Sequence, residues 1–558
     1  MGHNDESDPV PVLTAPGAPF ETVGIEIDGV ALRAWRHAAP SLRSMLEASR
    51  AFGEQPFLIY HGERTSYREH AERVTALARL LADTYGVRKG DRVAIAMRNY
   101  PEWSVAFFAA ACVGAVVVPL NAWWAAAELE FGLRDSGSRV LIADAERLDR
   151  LRDVLPGLDV AVLVARPDGP LPAGVRDLAD VPPAAELPSV AIEPEDDATI
   201  FYTSGTTGVP KGALGSQRNI CSNPVSLMFA AARSVLRAGG SLDDLPTGPG
   251  VRLVTVPFFH VTGCHSVLLS AIQGGHALAV MYKWDPAVAL ELIERERVTQ
   301  LTCVPSMAAQ LFSHPDLARR DVSSLTAVGT GGAPAPPVLV GRSAAVIPGL
   351  GMSNGYGLTE TSSLTSANIG EDYVARPDSV GQPVAICEVQ VVDGIGEPLP
   401  VGEVGELWIR GANVVKGYWN RPDATAAAIT DGWLHTGDLA RLDDEGFIHV
   451  VDRAKDVLIR GGENIYCAEI EAAVYEHPAV AECAVLGVPH EVLGEEVGAA
   501  VRLRRGETLT AAELREFLTG RIGAFKIPAH VWFLDAELPR NAAGKVLKAQ
   551  LRGELVAT

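Results

Sequence analysis

The chain has 558 residues, a hydrophobic share of 47% and a formal net charge of −21. That length predicts three or four domain-sized units, or one large multi-lobed body plus a smaller domain, with enough apolar surface for a substantial core. The acidic balance repels nucleic acid and anionic membranes, which excludes both as general partners, so an anionic ligand must be held by local donors.

Met1 to Pro19 is polar and proline-rich. It lacks the apolar core of a signal peptide, and Glu6 stands where a myristoylation pattern needs Ser or Thr. Ala71 to Thr84 predicts an amphipathic helix, and Arg92 to Ala96 a buried strand. The apolar run Val105 to Leu120 is interrupted by Gly114 and ends near Pro119, short of a comfortable membrane span. It reads as a buried helix (Trp103 to Cys112) and a buried strand (Ala115 to Pro119), so no stable membrane insertion is expected. This alternation predicts βαβ units and a mainly parallel sheet covered on both faces.

Leu155 to Pro188 is rich in proline, glycine and acid, and predicts a poorly structured excursion. The alternation resumes with strands at Leu253 to Pro257, Ala277 to Met281, Thr299 to Val304 and Leu325 to Thr330. Asp285-Pro286 opens a helix with a capping side chain and a first-turn proline. From about Val380 short alternating strands predict a small β-rich subdomain. Beyond Asp452 comes a compact α+β pattern, with a capping box at Thr510 to Glu513. The fold class is therefore α/β. Residues 1–452 form a large N-terminal domain with doubly wound sheets and the β-rich subdomain, and residues 453–558 form a small α+β domain. The seven cysteines are scattered, odd in number and without a C-x-x-C pair. They predict free thiols in a reducing, cytoplasmic compartment and no cysteine zinc site.

The stretch Ile200 to Gly212 carries the strongest chemical signal. A short β-favouring run feeds Thr203-Ser204-Gly205-Thr206-Thr207-Gly208-Val209-Pro210-Lys211. Glycines let the backbone approach a bulky anion and turn N–H groups inward, hydroxyls add donors, and Lys211 adds a mobile positive charge. This is a phosphate cradle but not a Walker A loop, because Val209-Pro210 separate Gly208 from the lysine and Gly212 follows it. The stretch resembles the phosphate loop of the adenylate-forming (AMP-binding) superfamily, which includes acyl-CoA synthetases and aryl-CoA ligases.

The resemblance recurs in family order through residue 545. Thr330-Gly331-Gly332-Ala333-Pro334 resembles the segment lining the adenine and acyl sites. In Asn354-Gly355-Tyr356-Gly357-Leu358-Thr359-Glu360, a tyrosine between glycines leaves a ring face open to a purine. Thr359 can donate to a phosphate oxygen, and Glu360 is a hard oxygen ligand suited to Mg²⁺. By resemblance Asp438, in His435-Thr436-Gly437-Asp438, would hold the ribose hydroxyls. Arg453 would lie near ribose and phosphate, Lys455 would be the pivot between domains, and Gly462 would help build a pantetheine tunnel. Lys545 matches the catalytic lysine, a cation able to bridge a carboxylate and an α-phosphate.

The resemblance implies an acid–thiol ligase that uses ATP, Mg²⁺ and CoA, with catalysis carried by Lys545, Thr206 and Glu360. The partners implied are a small carboxylic acid, ATP and CoA, and the reading is compatible with a homodimer. Phe259, His260, Val261 and Cys264 align with the acyl pocket wall. No acidic residue stands there to pair with an ammonium group, so a fatty or aryl acid is expected rather than an amino acid. His260 has two readings, a gate near the carboxylate or a hydrogen-bonded core histidine. Gln217 stands where many relatives have histidine. Trp123-Trp124 reads as packing rather than pocket. Two rivals stay open: an acyl-AMP ligase that loads a carrier protein, and a catalytically silent nucleotide binder.

Overall fold

The computed structural model describes residues 8–203, 210–246, 248–542 and 544–556. Two large sheets organise the first four hundred residues. The first has eight strands, in the spatial order Gly417–Tyr418, Lys211–Ser216, Asp197–Thr203, Val116–Pro119, Arg92–Ala96, Val140–Asp144, Ala161–Ala165 and Val175–Asp177. Its strands from Asp197–Thr203 to Val175–Asp177 run parallel, and Lys211–Ser216 folds back antiparallel. The second has nine strands. Gly351–Tyr356, Ala327–Gly331, Gln300–Cys303, Val251–Val254, Ala277–Val280 and Pro56–Tyr60 form its parallel centre.

Period-two alternation sorts side chains between layers. Val93, Ile95 and Val117 of the first sheet share one core with Leu58, Val254, Leu278 and Val280 of the second. The helices Tyr67–Asp83 and Pro101–Cys112 fill that shared layer, the latter buried along its whole apolar run. Ala94, Ala96, Val116 and Val118 face the opposite side of the first sheet, and Leu253, Leu301 and Val328 the opposite side of the second. Helix Pro286–Glu296 starts where expected, with Asp285 accepting from the Ala287 and Val288 N–H groups.

One expectation fails. Leu155 to Pro188 is not an unstructured excursion: Ala161–Ala165 and Val175–Asp177 extend the eight-stranded sheet. The surrounding prolines, glycines and acids hide a five-residue apolar run whose last four side chains are buried.

An antiparallel sheet follows, built from Cys387–Val392, Gly405–Gly411, Trp433–Leu442, Ile429–Thr430 and Ile448–Arg453. The last part of the chain forms its own five-stranded sheet around Val480–His490 and Gly494–Leu503, with a core that includes Ile470, Val485 and Leu514. Thr510 and Glu513 form the expected capping box. All seven cysteines are buried free thiols. Among the described residues no helix is long and apolar enough to cross a membrane.

Candidate active site

Strands Asp197–Thr203 and Lys211–Ser216 pair antiparallel, with Thr203 opposite Lys211. They clamp the base of the phosphate loop, whose Ser204, Gly205, Thr206, Thr207 and Gly208 lie outside the described residues. The Lys211 ammonium sits 5.1 Å from the centre of the Tyr418 ring, and the Tyr418 hydroxyl donates to Glu360 Oε1 at 2.7 Å. Tyr418 therefore ties the loop's cation to the proposed magnesium ligand. Sequence reasoning passed over it, although an aromatic pair directly after a glycine (Gly417-Tyr418-Trp419) was the available signal.

The C-terminal ends of two neighbouring parallel strands bring the next residues together. Gly331 and Gly355 are in register. A Cβ on Gly331 would lie 2.9 Å from the Gly355 carbonyl oxygen, so the two strands form a slot free of side chains. Beyond it, Gly332 has φ +75°, Ala333 is partly exposed and Pro334 exposed. Asn354 is buried and accepts from Thr330 Oγ1 at 3.4 Å, so it braces the strands. Gly357 is sterically required, since a Cβ there would overlap the Ser363 carbonyl. Thr359 and Glu360 are partly exposed on the short turn that follows.

Tyr356 donates its hydroxyl to Asp438 Oδ2 at 2.7 Å, and Arg453 Nε lies 2.9 Å from Asp438 Oδ1. The Asp438 carboxylate is thus buried and aimed by two donors. Each oxygen keeps a further lone pair, so the group can still accept from vicinal hydroxyls.

Lys545 enters this cluster from the far end of the chain. Its loop is stapled by the Asn541 N–H to Lys545 carbonyl bond and the Lys545 N–H to Asn541 Oδ1 bond, both 2.9 Å. Arg540 Nη1 donates to the Gly544 carbonyl at 2.8 Å. Ala542 packs against Ala122 and Phe259, which docks the loop on the large sheets. Burial pushes the Lys545 amine down to about 8; the charge of Arg453 adds to this, and Asp438 opposes it. Lys455 is exposed nearby. Gly462, at the turn between Leu458–Arg460 and Glu463–Ile465, is exposed with nothing near it and lines no passage in this arrangement.

The proposed acyl wall is arranged differently from a simple apolar pocket. Val261 and Cys264 turn into the core shared by the two sheets, and Phe259 is taken up by the Ala542 contact. The His260 ring lies against Phe259 with its Nε2 unpartnered, so the hydrogen-bonded core reading does not describe it. Burial pushes His260 down to about 4, which keeps it neutral at physiological pH. Thr262–Leu268 forms a π-helix, a local widening that recurs at functional sites. Gln217 is fully buried and accepts from the Leu42 N–H at 2.9 Å, a structural role. Trp124 packs against Tyr202, whereas Trp123 is 49% exposed beneath Arg98.

A phosphate-loop base, a side-chain-free slot, an aimed carboxylate and a docked lysine define a site for activating an acid with a nucleotide. The chain matches the AMP-binding enzyme family over residues 46–419 and the AMP-binding enzyme C-terminal domain over residues 469–545. It is 38% identical to a feruloyl-CoA synthase of Amycolatopsis sp over 495 residues, covering 88% of this chain and 94% of that one. It is 33% identical to a long-chain-fatty-acid–CoA ligase of Bacillus subtilis over 551 residues, covering 92% and 94%. Among solved structures, o-succinylbenzoate CoA synthetase from Bacillus subtilis, in complex with its acyl-adenylate intermediate, superposes with a TM-score of 0.74 at 31% identity, covering 91% and 97%. The chain belongs to the AMP-binding enzyme family, the adenylate-forming superfamily.

Proposed function

We propose that the protein is an ATP-dependent carboxylic acid–CoA ligase that works through an acyl-adenylate. The arrival of Lys545 near Asp438 and Arg453 is the observation that carries this reading, because it brings a cation from one end of the chain to the carboxylate that Tyr356 and Arg453 aim.

A carboxylate is a poor acyl donor because its leaving group would be oxide. Attack of its oxygen on the α-phosphorus of ATP gives an acyl-adenylate and expels pyrophosphate. The CoA thiol then attacks the acyl carbon, the thioester forms and AMP leaves. No general base is needed in the first step, and catalysis is positioning plus charge stabilisation. Lys545 neutralises charge between carboxylate and α-phosphate. Ser204, Thr206, Thr207 and Lys211 cradle the β- and γ-phosphates. The Tyr356 ring stacks on the adenine, and Asp438 accepts from the ribose. Glu360 would hold a magnesium ion together with phosphate oxygens, and that ion supplies charge neutralisation of the polyphosphate. Glu360 fits such an ion as a single protein ligand, since its carboxylate is partly exposed and is oriented at Oε1 by the Tyr418 hydroxyl.

The chain divides at Arg453 to Asp456. The small domain rotates about Lys455 after adenylation, withdraws Lys545 and brings Gly462 to the site for the thiol. The test is pyrophosphate release with Mg·ATP across carboxylic acids, with mass spectrometry of acyl-AMP and acyl-CoA. CoA-dependent turnover supports the ligase. Acyl-AMP that accumulates and ignores CoA would replace CoA with a carrier-protein thiol.

A further inference from the structure

Arg252 is a half-buried cation with a donor to spare. It lies on strand Val251–Val254, in register with Gln300. Its Nη1 donates to Ser270 Oγ at 2.6 Å. Its Nε is buried without a partner, and among the described residues no carboxylate pairs with it. Two other arginines are satisfied differently, although Arg98 and Arg410 also keep a buried Nε without a partner. Arg147 is locked onto Asp144 at 2.9 Å, and Arg233 gives both terminal nitrogens to the Pro383 and Gln382 carbonyls. Burial lowers Arg252 to about 10, still charged at neutral pH. A guanidinium N–H buried without an acceptor is costly, and a bound anion would remove that cost.

The helical segment beside it points the same way. From Val261 to Gln273 every residue is buried except Thr262, Ser266, Ser270 and Gln273. These four are spaced as one helix face, and all are polar. On the sheet, Gly329 stands in register between Thr302 and Ser353, and a Cβ there would crowd Ser353 Oγ at 3.2 Å, so this row presents hydroxyls with no side chain between them. The stripe starts directly after His260. Ser266 Oγ lies 2.8 Å from Ser363 Oγ, on the turn that carries Glu360. At the other end the stripe meets Arg252. Gln273 Oε1, one turn beyond Ser270, is also buried without a partner.

We propose that the acid activated by this enzyme carries a second carboxylate at its far end, and that Arg252 binds it. This rests on the ligase reading and narrows its substrate class. It departs from an apolar acid because Val261 and Cys264, the residues that suggested one, face the core. A methylene chain laid along the stripe would leave the orphaned Arg252 Nε without an acceptor. A terminal carboxylate instead offers two acceptors to the guanidinium's free donors. Ala327 shares the Arg252–Gln300 row, and Gly331, four residues on, lies at the side-chain-free slot. Four strand residues span about 13 Å. Less the reach of the arginine, that leaves room for two carboxylates separated by a chain or ring of intermediate size.

The test compares wild type, Arg252→Met and Arg252→Lys, all full-length. Acid-dependent pyrophosphate release is measured with α,ω-dicarboxylic acids and monocarboxylic acids of equal length. Thermal shifts with each acid are read in parallel without ATP. Wild type is expected to favour the diacid by about ten- to a hundredfold in kcat/KM, the range of one charge-assisted contact, through KM rather than kcat. Arg252→Met should lose that preference and gain on the monoacid, and Arg252→Lys should restore part of it. Equal or better monoacid turnover by wild type, with the preference unmoved in Arg252→Met, overturns the subsite and leaves the ligase standing. No pyrophosphate from any acid, with a diacid thermal shift present in wild type and absent in Arg252→Met, overturns the ligase reading and keeps the subsite. Neither turnover nor shift overturns both.

Discussion

Lys545 is held in a setting that disfavours its charge until a polyanion arrives. Its working form is the ammonium, and burial depresses its pKa to about 8 in the free protein. The charged form therefore dominates below that pH and is lost as pH rises through it. Since kcat/KM reports groups of the free enzyme, kcat/KM for ATP should fall above about pH 8. Lys545→Arg, which stays charged, should show no such limb at its lower activity; a wild-type profile flat to pH 10 would remove the lysine from this role. Lys545→Ala should lower acid-dependent pyrophosphate release by about 10²- to 10³-fold, the loss typical of one transition-state charge contact, with an unchanged melting temperature. Tyr356→Phe keeps the ring and removes the 2.7 Å bond that aims Asp438. One neutral-to-charged hydrogen bond is worth about 1.5–3 kcal/mol, so KM for ATP should rise at least about tenfold with little change in kcat.

Elements were legible in the sequence where pattern and punctuation agreed. Arg92–Ala96, the helix opened by Asp285-Pro286 and the capping box at Thr510 form as read, because burial alternation and end-capping are local. Ala161–Ala165 was hidden by its proline- and glycine-rich flanks, since a short strand is fixed by the neighbours it pairs with rather than by the composition around it. The π-helix at Thr262–Leu268 had no signature in the sequence, nor had the close approach of Gly263 to the Pro257 carbonyl. The nucleotide motifs were legible as strings, but not the bridges between them. Tyr418 joins Glu360 to Lys211 across a sequence gap that no motif spans. The strand predicted at Leu253 to Pro257 leaves Arg252 out, and only the structure shows its place on the strand and its Ser270 contact. Glycine chemistry gives a test at this scale. A Cβ at Gly263 would overlap the Pro257 carbonyl, whereas one at Gly341, in the helix Val338–Val346, meets nothing. Gly263→Ala should cost about 1–3 kcal/mol or more and Gly341→Ala should gain about 0.5–1 kcal/mol, measured by urea unfolding. Equal effects would contradict the packing described for the pocket helix.

At the scale of the molecule, the account needs two arrangements of one chain. The docked arrangement is held by Ala542 against Ala122 and Phe259, and by Asp452, which accepts from the Cys467 N–H at 2.5 Å. Ala542→Asp buries a carboxylate in that contact. It should impair acyl-adenylate formation from acid and ATP while sparing thioester formation from synthetic acyl-AMP and CoA, because the second half-reaction uses the undocked arrangement. Equal loss in both half-reactions would argue against a rotation between them. The most direct measurement is pyrophosphate release by wild type and Lys545→Ala across mono- and dicarboxylic acids, with and without CoA. The account predicts acid-dependent pyrophosphate from wild type, conversion to acyl-CoA when CoA is present, and collapse of both in Lys545→Ala. Pyrophosphate release that is independent of acid, or untouched by the loss of Lys545, would contradict it.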